Sequence, residues 1–364
     1  MQTNSSIETV KHEENPTKID TVEGVSALAS PRVVRSILIF VVAGVALYGA
    51  ATLASDYRAI VTALLGFPVA KLAQVIGLVL IGWLLRGWRF HYYLKQGSDW
   101  VPLRYSVAAF LAGFALTGTP GKVGEAVKAV FLKRDYGVSM TRVVGIVMVE
   151  RLMDLWGVLM LGSFSLILFS GWWHLFLLCV TVVVAAGIFL CMESVYRPVL
   201  DLFGRISFLS WISGRILGVL SSGRDLMTLR IFVVGLLVSS VAWGMESLSF
   251  YVVLAGLELP STLLEANFAY CFSTIVGALS MLPGGIGGAE ASMIGILKFM
   301  GIPYADGLPA VILIRLCTLW FAILLGVIFM IVLLARTKAD KLGAEDFLPG
   351  VPGEVPPGAP FKNS

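Results

Sequence analysis

No Asp, Glu, Lys or Arg occurs between Asp154 and Glu193. A hydrocarbon layer about 30 Å thick needs about 20 apolar helical residues per crossing, so this run is long enough to cross twice. Gly171-Trp172-Trp173-His174 interrupts it. The run therefore predicts a hairpin in which Arg142 to Ser170 crosses and Leu175 to Cys191 returns. The rest of the chain obeys the same constraint. Of 364 residues, 57% are hydrophobic and 14% charged, whereas a soluble domain carries about 25% charge. That surplus excludes an ordinary soluble enzyme. The net charge of +4 gives no electrostatic reason for a nucleic-acid partner. Cys179, Cys191, Cys271 and Cys317 lie in apolar runs without a C-x-x-C pair, so they read as buried thiols. No metal or cofactor is expected.

Four more segments fit full crossings: Ser36 to Ser55, Leu72 to Tyr93, Ile231 to Leu257 and Ile312 to Ala335. Two apolar stretches are shorter and broken. Val107 to Thr119 ends at Pro120-Gly121, and Phe268 to Leu282 ends at Pro283-Gly284-Gly285. Proline and glycine there free backbone groups that only protein or a wet cavity can satisfy in a bilayer. Each stretch reads as a re-entrant hairpin or a broken span. The fold class expected is all-α: a polytopic transmembrane helical bundle of about six spans plus two such hairpins.

Arg32 and Arg35 precede the first span, and Arg86, Arg89, Lys95 and Arg104 surround the exit of the second. Arg197, Arg205, Arg215, Arg224 and Arg230 fill the loop before the fifth, and Arg336, Lys338 and Lys341 follow the last. With six crossings these cations share one side, which the positive-inside rule makes cytoplasmic, along with both termini. The loop from Arg197 to Arg230 suits an interfacial amphipathic helix or a plain linker. Residues 1–30 are polar and read as a disordered cytoplasmic tail. They do not resemble a signal peptide, since the first apolar run begins near Ile37. Residues 337–364, ending in a Pro/Gly-rich piece, read as a second such tail. The transmembrane domain expected is 31–336.

The chain repeats itself. Pro120-Gly-Lys-Val-Gly124 resembles Pro283-Gly-Gly-Ile-Gly287, and Val147 to Trp156 matches Val311 to Trp320 at five of ten positions. The proline-to-arginine spacing is 31 residues for Pro120 and Arg151, and 32 for Pro283 and Arg315. Three expected crossings separate the two proline turns, so the copies, around 105–156 and 268–320, would face opposite sides: an inverted repeat, as in many transporters. Shared apolar composition is the competing explanation.

Charge concentrates in the first copy. Thr119 suits an N-cap and Pro120 the first helical position, with Lys122, Glu125 and Lys128 following on one face. A helix start with lysines beside it suits an anion such as phosphate. A solvated loop with an i,i+3 ion pair is the plainer reading. Glu150 and Asp154 lie one turn apart, with Arg151 in reach of Asp154. Inside a crossing each would cost ~2.5–3.5 kcal/mol, so they should turn inward and pair. Arg151 can neutralise one carboxylate, leaving the other for Lys122, Lys128 or a ligand. A clamp that only fixes helix register fits the same spacing. The second copy keeps Arg315, with Glu290 after the glycine turn, but has Ile314 and Thr318 where the first has Glu150 and Asp154. Glu246 is a further intramembrane carboxylate and a candidate partner for Arg315. No zinc-protease, Walker A, nucleophile-elbow or dinucleotide motif occurs, so no enzymatic role is expected.

Thr119-Pro120-Gly121-Lys122-Val123-Gly124-Glu125, then Glu150-Arg151-x-x-Asp154, then Pro283-Gly284-Gly285-Ile286-Gly287-x-x-Glu290 together resemble the lysylphosphatidylglycerol-synthase transmembrane-region family of flippase-like proteins. The likeness covers roughly residues 35 to 335. Family members commonly have arginines where this chain has Lys122 and Lys128, and a basic residue where it has Ala289. Lysine keeps the charge but weakens bidentate grip on phosphate. The resemblance implies an inner-membrane protein that binds and moves a polar lipid: a phospholipid, a hopanoid or a polyprenyl-linked glycan. The substrate-binding residues it implies are Pro120, Gly121, Lys122, Gly124, Glu125, Lys128, Glu150, Arg151, Asp154, Pro283, Gly284, Gly287, Glu290 and Arg315. Partners implied are membrane lipids, anionic ones included, and a lipid-modifying or glycosyltransferase enzyme. The aminoacyl-transfer chemistry of the synthases sits in a separate soluble domain, for which the tail after Arg336 is expected to be too short. A scaffold for such an enzyme, or a membrane-embedded transferase, are the alternatives.

Overall fold

A computed structural model describes residues 57–97, 100–117, 126–166, 228–280 and 282–346, with isolated helical positions between 174 and 198. The described residues form helices and turns without a strand. The expected span Ser36 to Ser55, the basic loop 197–227 and the tail 1–30 lie outside them, as does most of the expected return segment Leu175 to Cys191.

Among the described residues ten helices follow one another: α1 Tyr57–Leu65, α2 Val69–Lys95, α3 Leu103–Ala112, α4 Ala126–Tyr136, α5 Met140–Ser165, α6 Leu229–Gly256, α7 Leu263–Leu279, α8 Gly288–Phe299, α9 Tyr304–Arg315 and α10 Phe321–Asp346. α3 tightens into a 3-10 turn, Gly113–Leu116, and a π turn, Leu316–Trp320, joins α9 to α10. Side-chain caps start α5, α6 and α7. Ser139 accepts from the Arg142 amide at 3.3 Å and Thr228 from the Ile231 amide at 3.4 Å. Thr262 and Glu265 form a full capping box at the start of α7.

Three of these are long and apolar enough to cross a membrane: Val69–Lys95, Leu229–Gly256 and the continuous run Tyr304–Arg336. α5 has 26 residues, about 39 Å of helix, but Arg142, Glu150, Arg151 and Asp154 interrupt its apolar character. Both broken stretches expected from sequence appear as shorter apolar helices, Leu103–Leu116 and Leu263–Leu279. Two boundaries differ from expectation. α1 lies in the stretch between the expected spans Ser36 to Ser55 and Leu72 to Tyr93. The last helical run starts at Tyr304, despite Pro309 within it, and continues to Asp346, longer at both ends than the expected span Ile312 to Ala335. Residues 337–346 contain no proline, and the first breaker is Pro349.

α2 and α6 form the central pair. A Cβ on Gly82 of α2 would lie 2.9 Å from the Ala242 carbonyl oxygen, so the backbones touch there. α5 packs on α6, with Gly157 against Ser239, and also on α7. α10 closes over α3 where a Cβ on Gly326 would lie 2.2 Å from the Ala115 amide nitrogen. One apolar core gathers Phe90, Phe110, Phe131, Met153 and Trp156; a second gathers Phe250, Tyr270, Met293 and Ile314. The outward faces are apolar too: Ile81 and Leu84 on α2, Leu237 on α6, and Leu324 and Ile331 on α10 are all about half exposed or more. Arg86, Arg89, Lys128, Glu150, Asp154, Glu246 and Glu290 are buried.

Candidate functional site

α5 turns Glu150 and Asp154 inward, as their one-turn spacing requires, while α2 brings Arg89 between them. Glu150 and Arg89 are completely buried and Asp154 nearly so. The Arg89 guanidinium donates to Asp154 Oδ1 at 2.8 Å and stands 3.7 Å from Glu150 Oε1. Ser239 of α6 accepts from Arg89 and donates to Asp154 Oδ1 at 3.3 Å. Lys128 of α4, 1% exposed, reaches Glu150 Oε2 at 3.1 Å. Its ammonium lies 4.4 Å from the Phe110 ring centre. Its stem lies along Gly113, where a Cβ would come within 3.0 Å of Lys128 Cε. Arg151 stands 3.5 Å from Asp154 Oδ2, its side chain about a third exposed. Four helices thus converge on a charged knot enclosed by apolar walls. Charges so deep in protein cost several kcal/mol each unless neighbours neutralise them, which is what this pairing does.

A second knot lies one turn along α2. Arg86 Nη2 is 2.8 Å from Glu246 Oε1 on α6, and the guanidinium stacks 4.1 Å from the Trp243 ring. Tyr270 of α7 donates to Glu246 Oε2 at 2.7 Å. The third polar cluster holds the Pro283–Gly287 turn. Glu290 accepts from the Gly287 amide at 2.7 Å and from Arg315 Nε at 2.6 Å, while Arg315 Nη2 donates to the Gly284 carbonyl at 2.8 Å. Gly284, Gly285 and Gly287 all have positive φ, which a side chain at those positions would oppose.

Of the residues singled out from sequence, Lys128, Glu150, Arg151 and Asp154 come together in the first knot. Pro283, Gly284, Gly287, Glu290 and Arg315 come together in the third cluster. Pro120, Gly121, Lys122, Gly124 and Glu125 lie outside the described residues. The pairing of Glu246 with Arg315 is corrected: Arg86 holds Glu246, because Glu290 in the turn beside Arg315 claims that guanidinium.

Residues 33–326 match the family described as lysylphosphatidylglycerol synthase TM region. The chain belongs to that family. A UPF0104 membrane protein of Methanocaldococcus jannaschii is 26% identical over 237 residues, which are 61% of this chain and 97% of the relative. A UPF0104 membrane protein of Methanothermobacter thermautotrophicus is 30% identical over 93 residues, 26% of this chain and 28% of the relative. Family membership and the apolar helices together make this a membrane protein. Within the family fold, Arg86 and Arg89 are the residues that sequence reasoning misplaced, as flanking cations at a span end. The signal available was their spacing, i and i+3, which puts both on one face of α2.

Proposed function

We propose that this protein is a multi-pass inner-membrane carrier that binds a polar or phosphate-bearing lipid and moves it across the bilayer, with both termini cytoplasmic. The observation that carries the reading is the inversion of polarity: Arg89, Glu150, Asp154 and Lys128 are buried together while the outer helix faces are apolar. Ionised groups placed at such cost inside an oil-facing bundle give a headgroup somewhere to exchange its water for protein partners. The lipid tails remain outside, against surfaces such as Leu237 and Leu324.

An inverted repeat is part of the proposal. Exchanging α2, α3, α4 and α5 for α6, α7, α8 and α9–α10 carries one set of packed pairs onto the other. α3 on α10 answers α7 on α5, α4 on α5 answers α8 on α9, and α2 on α6 answers itself. Gly137 and Gly301 follow α4 and α8 at equivalent places, both with positive φ. Two related halves around one polar centre suit alternating access.

The role proposed is carriage rather than catalysis, with no cofactor, so the lipid should be recovered chemically unchanged. In proteoliposomes carrying a fluorescent anionic phospholipid, the wild type should scramble the probe. Glu150→Gln and Arg151→Gln should slow it by roughly tenfold or more, with melting curves retained. Undiminished transport in both would remove these residues from the path. The mutual charge pairing of Arg89, Glu150 and Asp154 also favours a second reading, a scaffold for a lipid-modifying or glycosyltransferase enzyme. In that case transport is absent and the charge-neutral variants still bind the partner enzyme.

A further inference from the structure

α2 carries three polar side chains along its inward face: Arg86, Arg89 and Tyr93, at i, i+3 and i+7. All three are at least nine-tenths buried. Each has donor atoms sealed from solvent that meet no hydrogen-bond acceptor among the described residues: Nε and Nη2 of both arginines, and the Tyr93 hydroxyl. Carboxylates surround these donors without saturating them. Arg89 Nη2 is 3.7 Å from Glu150 Oε1, and Arg86 Nη2 is near Glu246 Oε1 at 2.8 Å but outside hydrogen-bonding geometry. Glu150 Oε1, Asp154 Oδ2 and Glu246 Oε1 are likewise left without hydrogen-bond donors. The carboxylates are ion-paired there, while their hydrogen bonding is incomplete. Two planar forks one turn apart, plus a hydroxyl, make a donor array suited to the oxygens of a phosphate group.

We propose that Arg86, Arg89 and Tyr93 form an oxyanion site for a phosphate group, which Glu246, Glu150 and Asp154 occupy as internal stand-ins in this structure. The inference rests on the lipid-carrier reading and moves the phosphate-holding element from the proline turn to α2. Binding is then an exchange: phosphate oxygens take the guanidiniums and the carboxylates release them. A distinctive consequence follows. Neutralising a competing carboxylate should tighten phosphate binding, whereas a mere structural clamp would only be weakened.

The test uses the purified full-length protein in detergent, titrated calorimetrically with short-chain phosphatidylglycerol, with inorganic phosphate and with uncharged short-chain diacylglycerol. Glu246→Gln should bind phosphatidylglycerol roughly tenfold more tightly, about one charged hydrogen bond regained. The charge-balanced pair Arg86→Gln/Glu246→Gln should bind it roughly tenfold more weakly than wild type. Arg89→Lys, which keeps the charge and loses the fork, should also weaken it, and serves if the other variants fail to fold. Inorganic phosphate binding in parallel would identify the phosphate itself as the ligand. Binding of phosphatidylglycerol alone would assign the site to the lipid-borne group. Equal affinity for diacylglycerol, or unchanged affinity in folded Glu246→Gln and Arg89→Lys, overturns the inference. Scrambling by the same preparations separates the two ideas: wild-type transport with insensitive variants sinks only this site, and no wild-type transport sinks the carrier reading.

Discussion

Tyr93 shows how little slack surrounds the charged knot. Its ring is fully buried in the first apolar core, and its hydroxyl points at Gly235 of α6. A Cβ at Gly235 would lie 2.2 Å from that hydroxyl and 3.1 Å from Met153 Cγ. Interiors packed this densely do not absorb an added methyl without strain, which typically costs about 1–3 kcal/mol. Gly235→Ala should therefore lower the melting temperature in detergent, and Tyr93→Phe in the same chain should recover part of the loss by removing the oxygen. A double variant no better than the single one would show that the crowding lies with Met153 instead. At this scale sequence was a partial guide. The inward face of α5 follows from the spacing of Glu150 and Asp154, both of which are buried. The burial of Arg86 and Arg89 does not follow from hydropathy, because a span profile fades wherever charge begins. Only the carboxylates on α5 and α6, distant in sequence, make burial of those arginines affordable.

At the scale of elements, α7 and α8 are joined by the Pro283–Gly287 turn, and Arg315 holds that turn. That arginine ends α9, just before the π turn Leu316–Trp320. Single π turns in α-helices are uncommon and concentrate at functional positions. Arg315 holds the Gly284 carbonyl directly and the Gly287 amide through Glu290. Arg315→Gln keeps one donor group but removes the charge opposite buried Glu290. The expected result is faster amide hydrogen exchange confined to 282–292, with opening easier by about 1–3 kcal/mol. Uniform acceleration across the chain would mean that Arg315 supports the whole fold rather than this turn. The turn itself was legible, since Pro-Gly-Gly inside an apolar stretch demands a break. The π turn was not, because nothing in Leu316-Cys317-Thr318-Leu319-Trp320 departs from ordinary helix propensity. Nor does anything local foretell the continuation of α9 through Pro309, a residue that ordinarily interrupts a helix.

For the whole molecule the open matter is direction. Packing that maps onto itself when the halves are exchanged is compatible with repeats pointing the same way or opposite ways; inversion is a statement about the membrane. Met140 opens α5 and Tyr304 opens α9, 164 positions apart in a chain whose repeated arginines, Arg151 and Arg315, share that separation. Both are exposed, at 38% and 41%. If the halves are inverted, these two helix starts face opposite compartments: Met140 the cytoplasm, where the positive-inside rule puts the loops flanking α2 and α6, and Tyr304 the exterior. Single cysteines at Met140→Cys and Tyr304→Cys, in a background with the four native cysteines replaced, make the distinction with a membrane-impermeant maleimide. Intact cells should label only the Tyr304→Cys protein and inside-out vesicles only the Met140→Cys protein. Labelling of both from one side would leave the halves parallel. The polar centre would then no longer be reached alternately by two gates related by a pseudo-two-fold axis, and transport would need an asymmetric route through the first half alone.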